Sequence, residues 1–165
     1  MASGRTIPFS GLKRFIQQTL KEELREDLQQ LLILKEADIE TRAYYHLRRY
    51  LKPDPAWKVF ARYSAKQIHR YIDLVVFRGR NLMVAIELKW NRKKISEKDR
   101  GTLGAALEKL HARRAYAITL LRDKREYTKS KKRKAEKYKL HEIRVGLDWS
   151  PNRVAAWNAR RREFR

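Results

Sequence analysis

The sequence predicts an α/β fold on a mixed central sheet flanked by helices, and three observations carry that expectation. Residues 10–51 contain no proline and one glycine and repeat apolar side chains at helical spacing. Two segments, His69–Phe77 and Leu82–Trp90, are rich in Val, Ile and Tyr and are joined by Arg78-Gly79-Arg80-Asn81, which has turn chemistry. A second helical pattern follows Ser96 and leads into another strand-like run, Arg114–Leu121.

Ser10 is the expected N-cap of the first helical region, whose apolar positions are Leu12, Phe15, Ile16, Leu20, Leu24, Leu28, Leu31 and Leu32. The region is one long helix, or two separated near Ala37-Asp38 with Asp38 capping the second; Pro53 and Pro55 close it. Trp57–Ser64 is a short, mixed strand segment, and the two following strands should form an antiparallel hairpin. Ser96, with Asp99 three residues on, resembles a capped helix start, and Leu103, Ala106, Leu107 and Leu110 give that helix one apolar face. The element order is helix, strand, strand, strand, helix, strand, with Glu142–Trp149 as a further strand. A chain of 165 residues suits one domain. It divides into an N-terminal helical extension over 1–35, a core over 36–121 and a basic extension over 122–165.

Lys and Arg number 41 against 19 Asp and Glu, a net charge of +22 that points to a polyanionic partner. Aromatic residues run through the basic sequence, which favours a folded domain gripping phosphates over a solvated tail. Residues 91–165 carry a net +15 and residues 1–90 a net +7. The expected phosphate contacts are therefore in the C-terminal half: Lys93, Lys94, Arg100, Lys129, Lys131, Lys132, Arg133 and Lys134. No apolar run approaches a membrane span and no signal-peptide core is visible, so a soluble intracellular protein is expected, cytoplasmic or nucleoid-associated, or nuclear in a eukaryote. Cysteine is absent, and His46, His69, His111 and His141 lack ligand spacing, so any metal must rely chiefly on oxygen donors.

The chemistry-bearing residues are acids inside apolar strands. Asp73 lies in Tyr71-Ile72-Asp73-Leu74-Val75-Val76, and Glu87 and Lys89 share one face of Val84-Ala85-Ile86-Glu87-Leu88-Lys89-Trp90. A divalent cation held by two carboxylates is one way to compensate such charges. Asp73 stands opposite Glu87 if the hairpin loop has three residues, Gly79-Arg80-Asn81, with Asn81 in the left-handed position. A two-residue Gly79-Arg80 turn places the acids on opposite faces unless a bulge intervenes. Glu40 lies on the helical stripe Glu40, Tyr44, Leu47, Leu51 and is the expected helix acid, with Glu36 one turn earlier as the competing position.

This pattern resembles the PD-(D/E)XK nuclease superfamily, the restriction-endonuclease-like fold, over residues 36–121. Glu87-Leu88-Lys89 matches the ExK element, Asp73 the preceding acid and Glu40 the helix acid; Ile72 stands where the family often has proline. The resemblance implies an αβββαβ core and a metal-dependent nuclease, with DNA favoured as substrate. It further implies Mg²⁺, or Mn²⁺ in its place, held by Asp73, Glu87 and the Leu88 carbonyl, Lys89 beside the attacking water, and Glu40 serving a second metal or an outer water. A homodimer is compatible with it. Two other readings stay open: a non-catalytic basic nucleic-acid-binding protein and, within the enzyme class, a Holliday junction resolvase.

Overall fold

A computed structural model describes residues 6–30, 32–90, 95–121 and 140–146. Helix α1 (Phe9–Arg14) passes through a π-helical turn (Phe15–Thr19) into α2 (Leu20–Gln29), and α3 covers Glu36–Leu51. Strands β1 (Trp57–Ala65), β2 (Arg70–Arg78) and β3 (Asn81–Trp90) follow, then α4 (Glu97–Glu108), β4 (Arg114–Leu121) and β5 (Leu140–Gly146). The five strands lie in sequence order; β1–β2 and β2–β3 pair antiparallel, and β3–β4 and β4–β5 parallel. The sheet is mixed, as expected.

The sheet separates two apolar cores. Leu12, Leu24, Ile39 and Leu47 of the N-terminal helices pack on Leu74, Ile86, Leu88 and Ile118. On the other face Leu103 and Ala106 of α4 pack on Val75, Ala85, Ala115 and Ala117. Both faces of β4 are thus covered, which explains its unbroken burial from Ala115 to Leu120. Among the described residues no helix is long and apolar enough to cross a membrane.

The N-terminal helices depart from expectation in three places. Helix α1 starts at Phe9 with Pro8 as its N-cap, because Pro8 already has the extended backbone (φ −73°, ψ 154°) of that position; Ser10 falls inside the first turn. The break comes before α3, not at Ala37-Asp38. Asp38 still serves the start of α3, its carboxylate accepting from the backbone N–H of Leu34 (2.9 Å) and Lys35 (3.0 Å). With α2 ended at Gln29, Leu32 is exposed and Ile33 takes the buried place; Leu31 lies outside the described residues.

The hairpin reaches the expected register by another route. Its turn has two residues, Gly79 and Arg80, between paired Arg78 and Asn81, and the left-handed residue is Gly79 (φ +59°) rather than Asn81. Phe77 pairs with Leu82, but Val76 pairs with Val84, so Met83 is the extra residue of a bulge. The index sum of paired residues rises from 159 to 160 across it, giving Leu74↔Ile86. A three-residue loop would have set the same sum.

The glycines provide a test with opposite signs. A Cβ on Gly79 or on Gly104 of α4 would meet nothing within 4 Å, so only backbone preference distinguishes the two sites. Gly79→Ala should cost roughly 1–2 kcal/mol because φ is positive there. Gly104→Ala, in a helix interior, should add up to about 1 kcal/mol. Urea unfolding with an unchanged m-value measures both; a stabilised Gly79→Ala protein would contradict the turn geometry.

Candidate active site

Strands β2 and β3 part company at Leu74↔Ile86. Beyond that pair β2 continues along β1 as far as Arg70, while β3 continues along β4 as far as Trp90. The backbone N–H of Leu88 therefore loses a strand partner, and the Asp73 carboxylate takes that place, accepting from Leu88 N at 2.8 Å. This fork is where the chemistry-bearing residues meet.

Side-chain alternation changes at the same level. On β2, Leu74 and Val76 face the core under α1–α3, whereas Ile72, in step with them, packs in the core under α4. On β1, Trp57 and Val59 belong to the first core, and Tyr63 and Ala65 to the second. The pivots are Asp73 and Arg62, which the flanking pairs Ala61↔Leu74 and Tyr63↔Ile72 place opposite one another. Arg62 has φ +48°, the backbone irregularity that accompanies the change of face.

Lys89 lies at the centre of the acids. Its Nζ is 3.6 Å from Glu87 Oε2, 3.9 Å from Asp73 Oδ2, 3.6 Å from Glu36 Oε1 and 3.5 Å from Asp99 Oδ1. These contacts are longer than tight charge-assisted hydrogen bonds of about 2.7–2.9 Å, so one ammonium is shared among four carboxylates. Glu87 is buried, and that desolvation, followed by the adjacent Asp73 charge, pushes its carboxyl up to about 8 despite Lys89. Burial pulls the Lys89 ammonium down, but the charges of Asp73, Glu87, Asp99 and Glu36 outweigh it and the net shift is upward. Lys89 is accordingly a held cation.

Among the described residues no group of three or more His, Cys, Asp or Glu side chains is arranged to hold a metal ion. A fit to Mg²⁺ would have to rest on a smaller donor set, two carboxylates and a backbone carbonyl. Asp73 and Glu87 are hard oxygen donors that both face the Lys89 ammonium, and such a pair would suit an ion that keeps several waters. A carboxylate kept protonated by burial and by its neighbour's charge is also a group that a divalent cation would ionise.

The structure brings together Asp73, Glu87 and Lys89 but not Glu40. Glu36 is the helix acid beside Lys89; Glu40, one turn on, pairs with Arg62 Nε at 3.2 and 3.3 Å. Arg100 is tied to Glu142 at 2.7 Å, so this expected phosphate contact already has an acidic partner. Lys93, Lys94, Lys129, Lys131, Lys132, Arg133 and Lys134 lie outside the described residues. Asp99 was legible only as a helix-capping residue, and that role is real: Oδ2 accepts from Ser96 Oγ at 2.7 Å while Oδ1 faces Lys89. Nothing in sequence spacing pointed to Arg62. A cleft of about 770 Å³ lined by Arg78, Asn81, Met83, Leu107 and Arg113 lies at the turn end of the hairpin and includes none of the acids.

The raised Glu87 carboxyl links stability to pH in the metal-free protein. Folded Glu87 holds its proton up to about 8, whereas an unfolded glutamate releases it near its ordinary value of 4.5. The stabilisation from that proton is complete below the ordinary value and is lost as pH rises through about 8. In EDTA the melting temperature of wild type should therefore fall more steeply than that of Glu87→Gln between about pH 5 and pH 9. Parallel profiles would mean that Glu87 is ionised throughout. No family model, curated protein or solved structure matches this chain.

Proposed function

We propose that this chain is a metal-dependent nuclease of the PD-(D/E)XK kind, hydrolysing phosphodiester bonds in nucleic acid, with DNA as the favoured substrate. The observation that carries the reading is the fork, which gathers Asp73, Glu87 and Lys89 at the point where β2 leaves β3. The order α3, β1, β2, β3, α4, β4 supports it, since it follows the helix and strand order of that superfamily. A net charge of +22 supports a polyanionic substrate.

Asp73, Glu87 and the Leu88 carbonyl would hold Mg²⁺, with Mn²⁺ able to substitute. When bound, the metal supplies Lewis acidity to a phosphate oxygen and acidity to a coordinated water. Lys89, kept protonated by its acids, is a poor base at neutral pH and a strong donor. Its ammonium can orient the attacking water and offset charge growing on the phosphorus oxygens. Glu36 and Asp99 hold that ammonium from the two helices. Asp73 is in turn oriented by Leu88 N–H, which leaves its other oxygen for the cation.

Asp73→Asn, Glu87→Gln and Lys89→Met retain size or aliphatic stem while removing charge. Each should lower Mg²⁺-dependent cleavage of linear, flapped or four-way DNA at least about 100-fold, with the fold retained. In EDTA Asp73→Asn should bind DNA more tightly than wild type, because a repulsion between carboxylate and phosphate has gone, and Glu87→Gln should bind as tightly as wild type at neutral pH, where Glu87 already carries a proton. Strong binding by wild type without cleavage of any substrate would instead identify a non-catalytic nucleic-acid-binding protein. Preference for the four-way substrate, together with a dimer, would mark a junction resolvase.

A further inference from the structure

We propose that Arg62 is a phosphate contact of this site, held at the mouth of the fork by Glu40 until nucleic acid takes its guanidinium; the substrate in this proposal rests on the nuclease reading. Three observations converge on it. Arg62 adopts φ +48° within β1, a conformation that side chains with a Cβ rarely accept. The change of face at this level needs an unusual backbone, but glycine would supply it with less strain, so the fold alone gives no reason for arginine.

The second observation is the side chain. It is 73% exposed, and it makes an ion pair with Glu40, through Nε at 3.2 and 3.3 Å. An exposed pair of this kind holds its members weakly. A guanidinium presents a planar set of donors matched to phosphate, so a phosphate diester can compete for it.

Position is the third. Arg62 stands opposite Asp73 in the β1–β2 register, and Glu40 follows Glu36, the Lys89 partner, by one helical turn. A backbone phosphate approaching Asp73 and Glu87 meets negative charge, and a cation at the rim offsets that repulsion without entering the acid cluster. Glu40 in this arrangement is a parking position for Arg62.

The test compares Arg62→Gly, Arg62→Ala, Arg62→Ala combined with Glu40→Gln, and Arg80→Ala, the last removing an exposed arginine from the hairpin turn. Affinity for a fluorescent DNA duplex is measured in EDTA over a range of salt, alongside melting temperature and Mg²⁺-dependent cleavage. Arg62→Gly should melt higher than wild type yet bind at least about fivefold more weakly, with a salt slope reduced by about 0.9, the amount expected for one lost phosphate contact. Arg80→Ala should change affinity less than about twofold and leave most of the slope. The double variant should show the same loss as Arg62→Ala, which separates loss of the arginine from uncovering of Glu40. The proposal is overturned if Arg62→Gly binds like Arg80→Ala, or if neutralising Glu40 restores affinity. Wild type that cleaves DNA while Arg62→Gly binds normally sinks this inference alone; wild type that neither binds nor cleaves sinks the nuclease reading with it.

Discussion

The orphaned N–H of Leu88 is the constraint around which this site is built. A strand that leaves its neighbour strips that neighbour of hydrogen-bond partners, and an unsatisfied buried donor costs about 1–3 kcal/mol. Asp73 removes that cost with its side chain, accepting from Leu88 N at 2.8 Å. Asp73 is therefore held against β3 while β2 diverges, and divergence opens the space in which Glu87 and Lys89 stand. The starts of two helices meet the same place. Glu36 begins α3, fixed by the Asp38 cap, and Asp99 belongs to the cap of α4. One structural role thus supplies both the anchoring of the acids and their convergence.

That convergence carries an electrostatic cost, which the free protein meets in two ways. Lys89 spreads one positive charge over four carboxylates at 3.5–3.9 Å, and Glu87 retains a proton well above the ordinary glutamate range because it is buried beside Asp73. Removing either compensation leaves like charges facing each other in a poorly solvated place, where their repulsion exceeds its value in water. On the nuclease reading a divalent cation would take over from the proton, leaving Lys89 as a donor. On that reading the basic charge would draw in a polyanion, and the acids gathered at one point would become useful once a cation had joined them.

Most of the architecture was legible because it depends on local periodicity. Alternating and continuous apolar runs marked β2, β3 and β4, and the Ser96-to-Asp99 spacing marked the start of α4, since pleat and cap geometry act over a few residues. The bulge at Met83 was not legible. A bulge leaves the residue types of a strand unchanged, so the sequence admitted two turn lengths and only the structure shows a two-residue turn followed by the bulge. The pairing of Asp73 with Leu88 N and of Arg62 with Glu40 was hidden for a related reason. The first occurs where β2–β3 pairing ends and the second at an interruption within β1–β2 pairing, and periodicity describes only regular elements.

The choice between Glu36 and Glu40 shows how a distant part of the chain can act on the site. The two residues lie one turn apart on α3, so a slide of about 5.4 Å along its axis would exchange their places at Lys89. Apolar packing between Leu24, Leu28, Ile39, Ala43 and Leu47 resists such a slide only through shape. The polar contacts between α2 and α3 are more directional. Buried Asp27 accepts from Arg42 Nη2 at 2.6 Å and Nε at 2.9 Å, and lies 2.6 Å from His46 Nε2. Burial alone would raise the Asp27 carboxyl, but the bonds from Arg42 and His46 hold it below the usual range, so it remains charged. Such a network adds little to stability beyond an apolar replacement, but a one-turn slip would leave a buried carboxylate without its partners, at a cost of about 3–5 kcal/mol. Asp27, Arg42 and His46 therefore specify the register in which Glu36 meets Lys89 and Glu40 meets Arg62. The N-terminal helices, which contribute no residue to the acid cluster before Glu36, decide in this way which glutamate serves it.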